Sequence, residues 1–387
     1  MKLIVILLYC YLVVFPFGQL TRLPLDIAEV NLYLTDILVG GLLLTWLGWK
    51  LLKKDQFHRP PLVSPILLFF VLALISLILN TSLLSGREVG VGFLYLIRWL
   101  VYAGLYFVVY DLVHSSKQNF FNLLIGAGFI TAVLGLLQYF FLPDTRFLEA
   151  LGWDPHYYRV IGTFLDPGFL GMILVFTLIL LTHKIWPLKK SSSLEVIVWI
   201  TLYLALALTY SRASYLAYLM GIGVIAWFKK SPKFFLAVFV AGVMTVLLLP
   251  RPGGEGVKLE RSSTIEARIT SWRQSLTIAK ENPVFGVGFN AYRYAQTRHG
   301  FLAEQGGQIS HAGAGADSSW LFVLATTGIA GMAAYLWLWM KIFKTGNLLI
   351  FASAAALAVH AWFLNSLFYP WIMAWFWILL GAVKTKD

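Results

Sequence analysis

Between residues 251 and 317 the chain gathers Arg261, Arg268, Arg273, Arg293, Arg298, His299 and His311, a density of planar cations found nowhere else in it. Arginine offers paired N–H donors that match the oxygens of a phosphate or diphosphate, whereas lysine is a point charge that any anion satisfies. A histidine is the side chain best suited to take a proton near neutral pH, so His311, with His299 as its competitor, is the candidate for activating or positioning an acceptor. Arg212, in TYSRASYLA, stands between Ser211 and Ser214, a combination that suits a phosphate and also suits lipid headgroups. Arg98, in GFLYLIRWLVYAG, falls inside an apolar run. An arginine at that depth either faces a polar cavity or partner, or snorkels toward the headgroups beside an anchoring Trp99.

The elements that would position these groups are helical. Ile265, Ile269, Trp272, Leu276 and Ala279 recur at steps of three and four, which predicts an amphipathic helix with its apolar face against the membrane or the bundle. Ser263 and Glu266 make a capping box at its start, and Asn282-Pro283 ends it. The Gly286-Val287-Gly288 turn, running on to Asn290, lets backbone approach a ligand closely, although without a preceding strand it is no dinucleotide fingerprint. In SHAGAGADSSW, Asp317 with Ser318 is expected to cap the helix that follows His311. No metal-ligand spacing, Walker loop or paired-carboxylate motif is present, so neither metal nor other cofactor is expected.

The rest of the chain reads as membrane. Of 387 residues, 59% are hydrophobic and only 12% charged, well below the soluble norm of about 25%. Apolar runs near 3–18, 31–51, 62–80, 91–113, 120–142, 164–182, 194–210, 213–228, 234–250, 318–341, 347–364 and 366–383 predict an all-α bundle of about twelve transmembrane helices. The first run has a lysine before it, as a signal peptide does, but no small-x-small cleavage site, and is expected to be retained. If the N-terminus is cytoplasmic, the inside loops hold Lys53, Lys54, Arg59, Lys117, Lys184, Lys189, Lys190, Lys229, Lys230, Lys233, Lys341, Lys344, Lys384 and Lys386. All fall on one side, so both termini are expected in the cytoplasm, and the net charge of +12 requires no nucleic acid. The organisation is then an N-terminal bundle over 1–250 with about nine spans, a large extracytoplasmic loop over 251–317, and about three further spans over 318–387. The second outside segment, near 143–163, carries Asp144, Arg146, Glu149, Trp153, Asp154, His156 and Arg159. Cys10 is the single cysteine, which excludes an intramolecular disulfide.

At GTFLDPGFLG, TYSRASYLA, RSSTIEARITSWRQSLTIAKENPVFGVGFNAY and HAGAGADSSWLFVLATTGIAG, about a quarter of its length, the chain resembles the O-antigen ligase and O-antigen polymerase superfamily of bacterial inner-membrane enzymes. The resemblance implies a GT-C type glycosyltransferase that uses an undecaprenyl-diphosphate-linked glycan without metal or nucleotide. By it, Arg212, Arg268 and Arg273 would hold the donor diphosphate and His311 would activate the acceptor hydroxyl. Arg261 and Arg98 are further candidates for the donor side, with Gly286, Gly288, Asn290 and Asp317 in positioning roles. The acceptor would be a glycan, a lipid or a protein, with membrane lipids as surroundings. Ala312 follows the histidine where the family often has Asn, so ligase and polymerase both remain open. A transporter of lipid-linked glycan is the other class compatible with a dozen spans, but it would place polar residues and broken helices near the bilayer midplane. A scaffold with a lipid-binding loop would need the charge and not His311.

Overall fold

The computed structural model describes residues 1–24, 29–53, 60–116, 120–187, 191–301 and 315–383, apart from the side chains of Ser116 and Ser263. The chain is helical throughout: α1 (Lys2–Val14), α2 (Leu34–Lys53), α3 (Val63–Leu79), α4 (Gly86–Ser116), α5 (Phe121–Phe141), α6 (Pro167–Lys184), α7 (Ser193–Ala207), α8 (Arg212–Phe228), α9 (Pro232–Leu248), α10 (Ser263–Ala279), α11 (Tyr292–Arg298), α12 (Ser319–Phe343), α13 (Leu348–His360) and α14 (Pro370–Ala382). Among the described residues the extended pairings are two isolated bridges, Arg22 with Tyr33 and Asp144 with Tyr157. Each of the twelve apolar runs is a helix. Six are long and apolar enough to cross a membrane, and the other six are apolar helices of 10–17 residues. Of the basic residues that set the expected sidedness, Lys54, Arg59, Lys117, Lys189, Lys190, Lys384 and Lys386 lie outside the described residues, as does His311.

The helices that are apolar all round are the ones enclosed by others. In α6 every residue from Leu170 to Thr182 is buried, and in α14 every residue from Trp371 to Gly381. The two meet through Phe176 stacked on Trp375 at 4.7 Å. In contrast α9 buries only Val238 and leaves Leu247 and Leu248 exposed, as expected of a helix whose partner is lipid.

Two buried ion pairs join α2 to α4. Lys50 Nζ is 2.8 Å from Asp111 Oδ1 near one end, and Arg98 Nη2 is 2.9 Å from Asp36 Oδ2 near the other. The Asp36 carboxylate also accepts from Tyr102 Oη at 2.9 Å, and Arg98 donates to the Asn31 carbonyl. The Arg98 guanidinium therefore faces a carboxylate partner within the bundle, and it does not snorkel.

Helix α12 is broken at Gly328 (φ 62°, ψ −166°). In an unbroken helix Ile329 and Ala330 would donate to Ala325 and Thr326. They donate instead to the carbonyls of Pro283 and Val284, at 2.8 and 3.1 Å, while Val287 and Gly288 N–H take the freed carbonyls of Ala325 and Thr326, at 3.0 and 3.1 Å. The exchange needs two glycines face to face. A Cβ at Gly286 would lie 2.4 Å from the Thr326 carbonyl carbon, and one at Gly328 would lie 2.4 Å from Val284. From α3, Asn80 Nδ2 donates to the Gly286 carbonyl at 2.9 Å and Ser76 Oγ to that of Thr326 at 2.7 Å. The Gly-x-Gly turn thus docks on backbone of the bundle, and its close approach is to α12.

Candidate active site

A cavity of about 1110 Å³ opens at one end of the bundle. Its wall is drawn from the α1–α2 connection, the start of α4, the α5–α6 and α7–α8 connections, the long segment between α9 and α12, and the α13–α14 connection. These are the connections at one face of an alternating bundle. The lysine-bearing connections, such as α8–α9 and α12–α13, lie between them in sequence and contribute nothing to the lining.

Arg212 is the first residue of α8, whose N-cap Ser211 accepts from Ser214 N–H. A left-handed Tyr210 (φ 51°) makes the bend that separates α7 from α8, as the sequence suggested. Arg212 Nη1 donates to the carbonyls of Leu259 and Arg261, each at 3.1 Å, and so ties the α9–α10 segment to the top of α8. Its buried Nη2 has no partner among the described residues. Arg261 is held by the carbonyls of Gly256 and Lys258, both at 2.8 Å, and by Thr264 Oγ1 at 2.9 Å. Arg268, on α10, lines the cavity over the Phe363 ring, 5.5 Å from its centroid. Burial depresses the pKa of Arg268, and so does Arg212; Asp317 opposes them.

Arg159, only noted in sequence, completes the cluster. Its segment is clamped to the α7–α8 bend by Val160 N–H to the Leu208 carbonyl (2.9 Å) and Arg159 Nε to the Thr209 carbonyl (2.9 Å). Burial, with Arg261 adding to it, brings the Arg159 guanidinium down to about 10, still charged at neutral pH. His156 stands in the same wall, 9% exposed, and its Nε2 has no partner among the described residues. Burial, then Arg159 and Arg261, push its imidazole down to about 3, so it is neutral. Asn365 Oδ1, from the α13–α14 connection, is a third buried polar atom of the lining without a partner among the described residues. Buried polar atoms are nearly always satisfied, and three orphans around one cavity mark where a polar ligand would bind.

The remaining expected residues divide. Asn290 (φ 60°) lines the cavity together with Arg293 of α11. Asp317 lines it too, but the α12 cap is Ser318, which accepts from Leu321 N–H; Asp317 turns toward α10, its N–H donating to Ser271 Oγ at 3.2 Å. Gly286 and Gly288 lie behind the wall, in the turn bonded to α12. Arg273 is exposed on α10 and is not part of the lining, and Arg98 is not either. His299 stacks on Phe301 and pairs with Glu281, away from the cavity. The N-cap of α10 is Ser262, which makes no side-chain cap, and the expected Ser263–Glu266 box involves a Ser263 side chain outside the described residues. Of the apolar stripe, only Ala279 is buried and Trp272 half-buried against Trp362 and Phe363, while Ile265, Ile269 and Leu276 are 42–48% exposed. The helix turns Arg268, Trp272, Ser275 and Ile278 inward, because the ring packing and the Ser275–Tyr292 hydroxyl contact (2.7 Å) claim that side.

Among the described residues no group of three His, Cys, Asp or Glu side chains stands close enough to hold a metal ion. The cavity carries guanidinium groups around one end with the carboxylates of Asp154, Asp166 and Asp317 also in its lining, an aromatic floor that includes Phe169 stacked on Tyr369 at 4.0 Å, and room for far more than a phosphate. No curated protein matches the chain. Residues 196–336 match the family model described as O-antigen ligase, a span that runs from within α7 into α12 and holds Arg212, Arg261, Arg268, Asn290 and Asp317. That match supports a ligase- or polymerase-like role in surface polysaccharide assembly, in a membrane setting that the apolar helices share. Over residues 196–336 the chain is thus similar to the O-antigen ligase family, which supports the resemblance to the O-antigen ligase and polymerase superfamily.

Proposed function

We propose that the protein is a metal-independent glycosyltransferase that transfers or polymerises an undecaprenyl-diphosphate-linked oligosaccharide onto an acceptor hydroxyl at the outer face of the bacterial cytoplasmic membrane. The observation that carries this reading is the convergence of Arg159, Arg212, Arg261 and Arg268 on one cavity at the end of an apolar bundle, with Arg212 Nη2 unpartnered among the described residues. A polyprenyl chain lies in the bilayer and holds its diphosphate at the interface, where such a cavity opens. In this reading all twelve apolar helices cross the membrane, both termini are cytoplasmic, and residues 251–317 form the extracytoplasmic catalytic loop.

Arg212, Arg261 and Arg268 bind the diphosphate. As the bond between the sugar anomeric carbon and the phosphate oxygen breaks, negative charge grows on the leaving diphosphate, and fixed guanidinium groups stabilise it where it develops. His311 takes the acceptor hydroxyl proton as the acceptor oxygen bonds to the anomeric carbon. The acceptor is a glycan, a lipid or a protein. Arg98, neutralised by Asp36, and the exposed Arg273 drop out of the donor site in this reading.

The test is release of undecaprenyl diphosphate by purified protein supplied with undecaprenyl-diphosphate oligosaccharide and acceptor, in chelator. Release that persists unchanged in Arg212→Ala and Arg268→Ala removes these residues from the donor site. Full turnover by His311→Ala rules out its role as base, and strict dependence on a divalent cation overturns the metal-free chemistry.

A further inference from the structure

We propose that His156 is a ligand of the donor diphosphate, giving its Nε2–H to a phosphate oxygen beside the guanidinium groups of Arg159 and Arg261; this rests on the reading that the cavity takes a lipid diphosphate. Nothing in the sequence motifs assigns this residue, and three observations single it out.

The imidazole is nine-tenths buried and forms part of the cavity lining, and its Nε2 has no partner among the described residues. The segment that carries it is built to hold it there. The His156 carbonyl accepts from both Thr145 N–H (3.0 Å) and Thr145 Oγ1 (2.9 Å), and three residues on, the chain is bonded to the α7–α8 bend just ahead of Arg212. The charges that act on it are those of Arg159 on the same segment and Arg261 from the α9–α10 segment, with the Asp154 carboxyl also in the lining. Burial first, and then the repulsion a third cation would meet from these two, keeps the imidazole neutral.

The missing partner has a definite chemistry. A phosphate oxygen only accepts hydrogen bonds, so the imidazole that meets it carries its proton on Nε2. Donation from a neutral ring adds directionality to a site whose attraction comes from arginine. As the anomeric bond breaks, the charge on the diphosphate oxygens rises and this hydrogen bond strengthens with it. No proton needs to move for the effect.

The experiment is binding of inorganic pyrophosphate to the full chain in detergent, measured calorimetrically for wild type, His156→Ala, His156→Gln and Arg212→Ala. The expected result is an affinity about tenfold weaker in His156→Ala, the size of one lost hydrogen bond to a charged group, with recovery in His156→Gln, whose Nε2–H reaches the same point. The Thr145 contacts are to the His156 backbone and survive both substitutions. Equal affinity of His156→Ala and wild type, with Arg212→Ala weakened, overturns the His156 assignment and leaves the donor site standing. Equal weakening in Ala and Gln variants also overturns it, since packing and not the N–H would then be what counts. If wild type binds no pyrophosphate at millimolar concentration, the donor-site reading itself fails.

Discussion

Replacing Gly286 by alanine tests whether the Gly-x-Gly turn serves the bundle or a ligand. Gly286 has φ +71°, and a Cβ there would lie 2.4–2.6 Å from three backbone atoms, the carbonyl carbon of Thr326 and the amide nitrogens of Thr327 and Gly328. Backbone cannot swing aside as a side chain can, so the turn must retreat by about 1 Å from a well-packed contact. That distance stretches the four exchanged hydrogen bonds, 2.8–3.1 Å long, beyond useful geometry. At about 1 kcal/mol each the loss is up to ~4 kcal/mol, on top of ~1–2 kcal/mol for a non-glycine residue in a left-handed conformation. Gly346 is the internal control: it has φ +69° and nothing within 4 Å of its would-be Cβ, so Gly346→Ala carries only the conformational cost. Thermal unfolding in detergent, followed by tryptophan fluorescence, should show Gly286→Ala strongly destabilised and Gly346→Ala mildly so. Equal shifts in the two variants would refute the close-approach argument.

Other outcomes follow from the charges. Arg98→Ala leaves Asp36 buried without its cation and should cost about 3–5 kcal/mol, whereas Arg98→Met with Asp36→Leu should recover most of the stability; destabilisation of the double variant as large as that of the single would show that the pair is not the cause. Arg268→Ala should lower turnover by about 10²–10³, as expected when a transition-state donor is lost, while the exposed Arg273→Ala stays near wild type; the reverse order in a donor-release assay would invert the site. His156 has a folded-state pKa of about 3 against 6.5 in the unfolded chain, so the folded protein binds fewer protons below pH 6.5. Its contribution to stability is complete above 6.5 and is lost as the pH falls toward 3, at most about 5 kcal/mol at 1.36 kcal/mol per pH unit. His156→Gln should therefore flatten the acid limb of the unfolding midpoint between pH 7 and 4; parallel curves for variant and wild type would remove this histidine as the cause.

What could be read from sequence was whatever is local in the chain. Twelve apolar runs announced twelve helices because burial in lipid or in a bundle needs continuous apolar stretches, and the α7–α8 break showed as the gap between the runs at 194–210 and 213–228. Arg212, Arg261 and Arg268 were legible because cations are sparse in such a chain, and Asn290 and Asp317 through the positioning roles that the resemblance implied. Arg159 and His156 were visible only as polar residues of a loop, since what makes them part of the site is a clamp to Leu208 and Thr209, about fifty positions away. The partner of Arg98 lies 62 positions off on α2, and no local pattern points to Asp36. For α10 the periodicity gave the stripe, of which Trp272 and Ala279 pack inward while Ile265, Ile269 and Leu276 stay exposed. Apolar spacing says that a stripe exists, and the packing of Trp272 on Trp362 and Phe363 decides which part of it turns inward.

The way each cation is held separates structural from ligand-facing roles more sharply than its type or depth does. Lys50 and Arg98 meet the carboxylates of Asp111 and Asp36, which cancel their charge inside the bundle and leave nothing to offer a ligand. Arg159, Arg212 and Arg261 are fixed by backbone carbonyls, of Thr209, of Leu259 and Arg261, and of Gly256 and Lys258. A carbonyl orients a guanidinium without neutralising it, so these three groups keep their positive field while losing their freedom to move. Carboxylates act on the cluster from a distance, Asp166 on Arg159, Glu255 on Arg261 and Asp317 on Arg268, without forming an ion pair among the described residues. Carbonyls on three separate segments are thus used to hold like charges together, at a cost in repulsion that Asp166, Glu255 and Asp317 offset in part. Such an arrangement is stable in use when a polyanion of matching charge enters, and a diphosphate between these arginines supplies that charge with oxygens in the plane that guanidinium groups recognise.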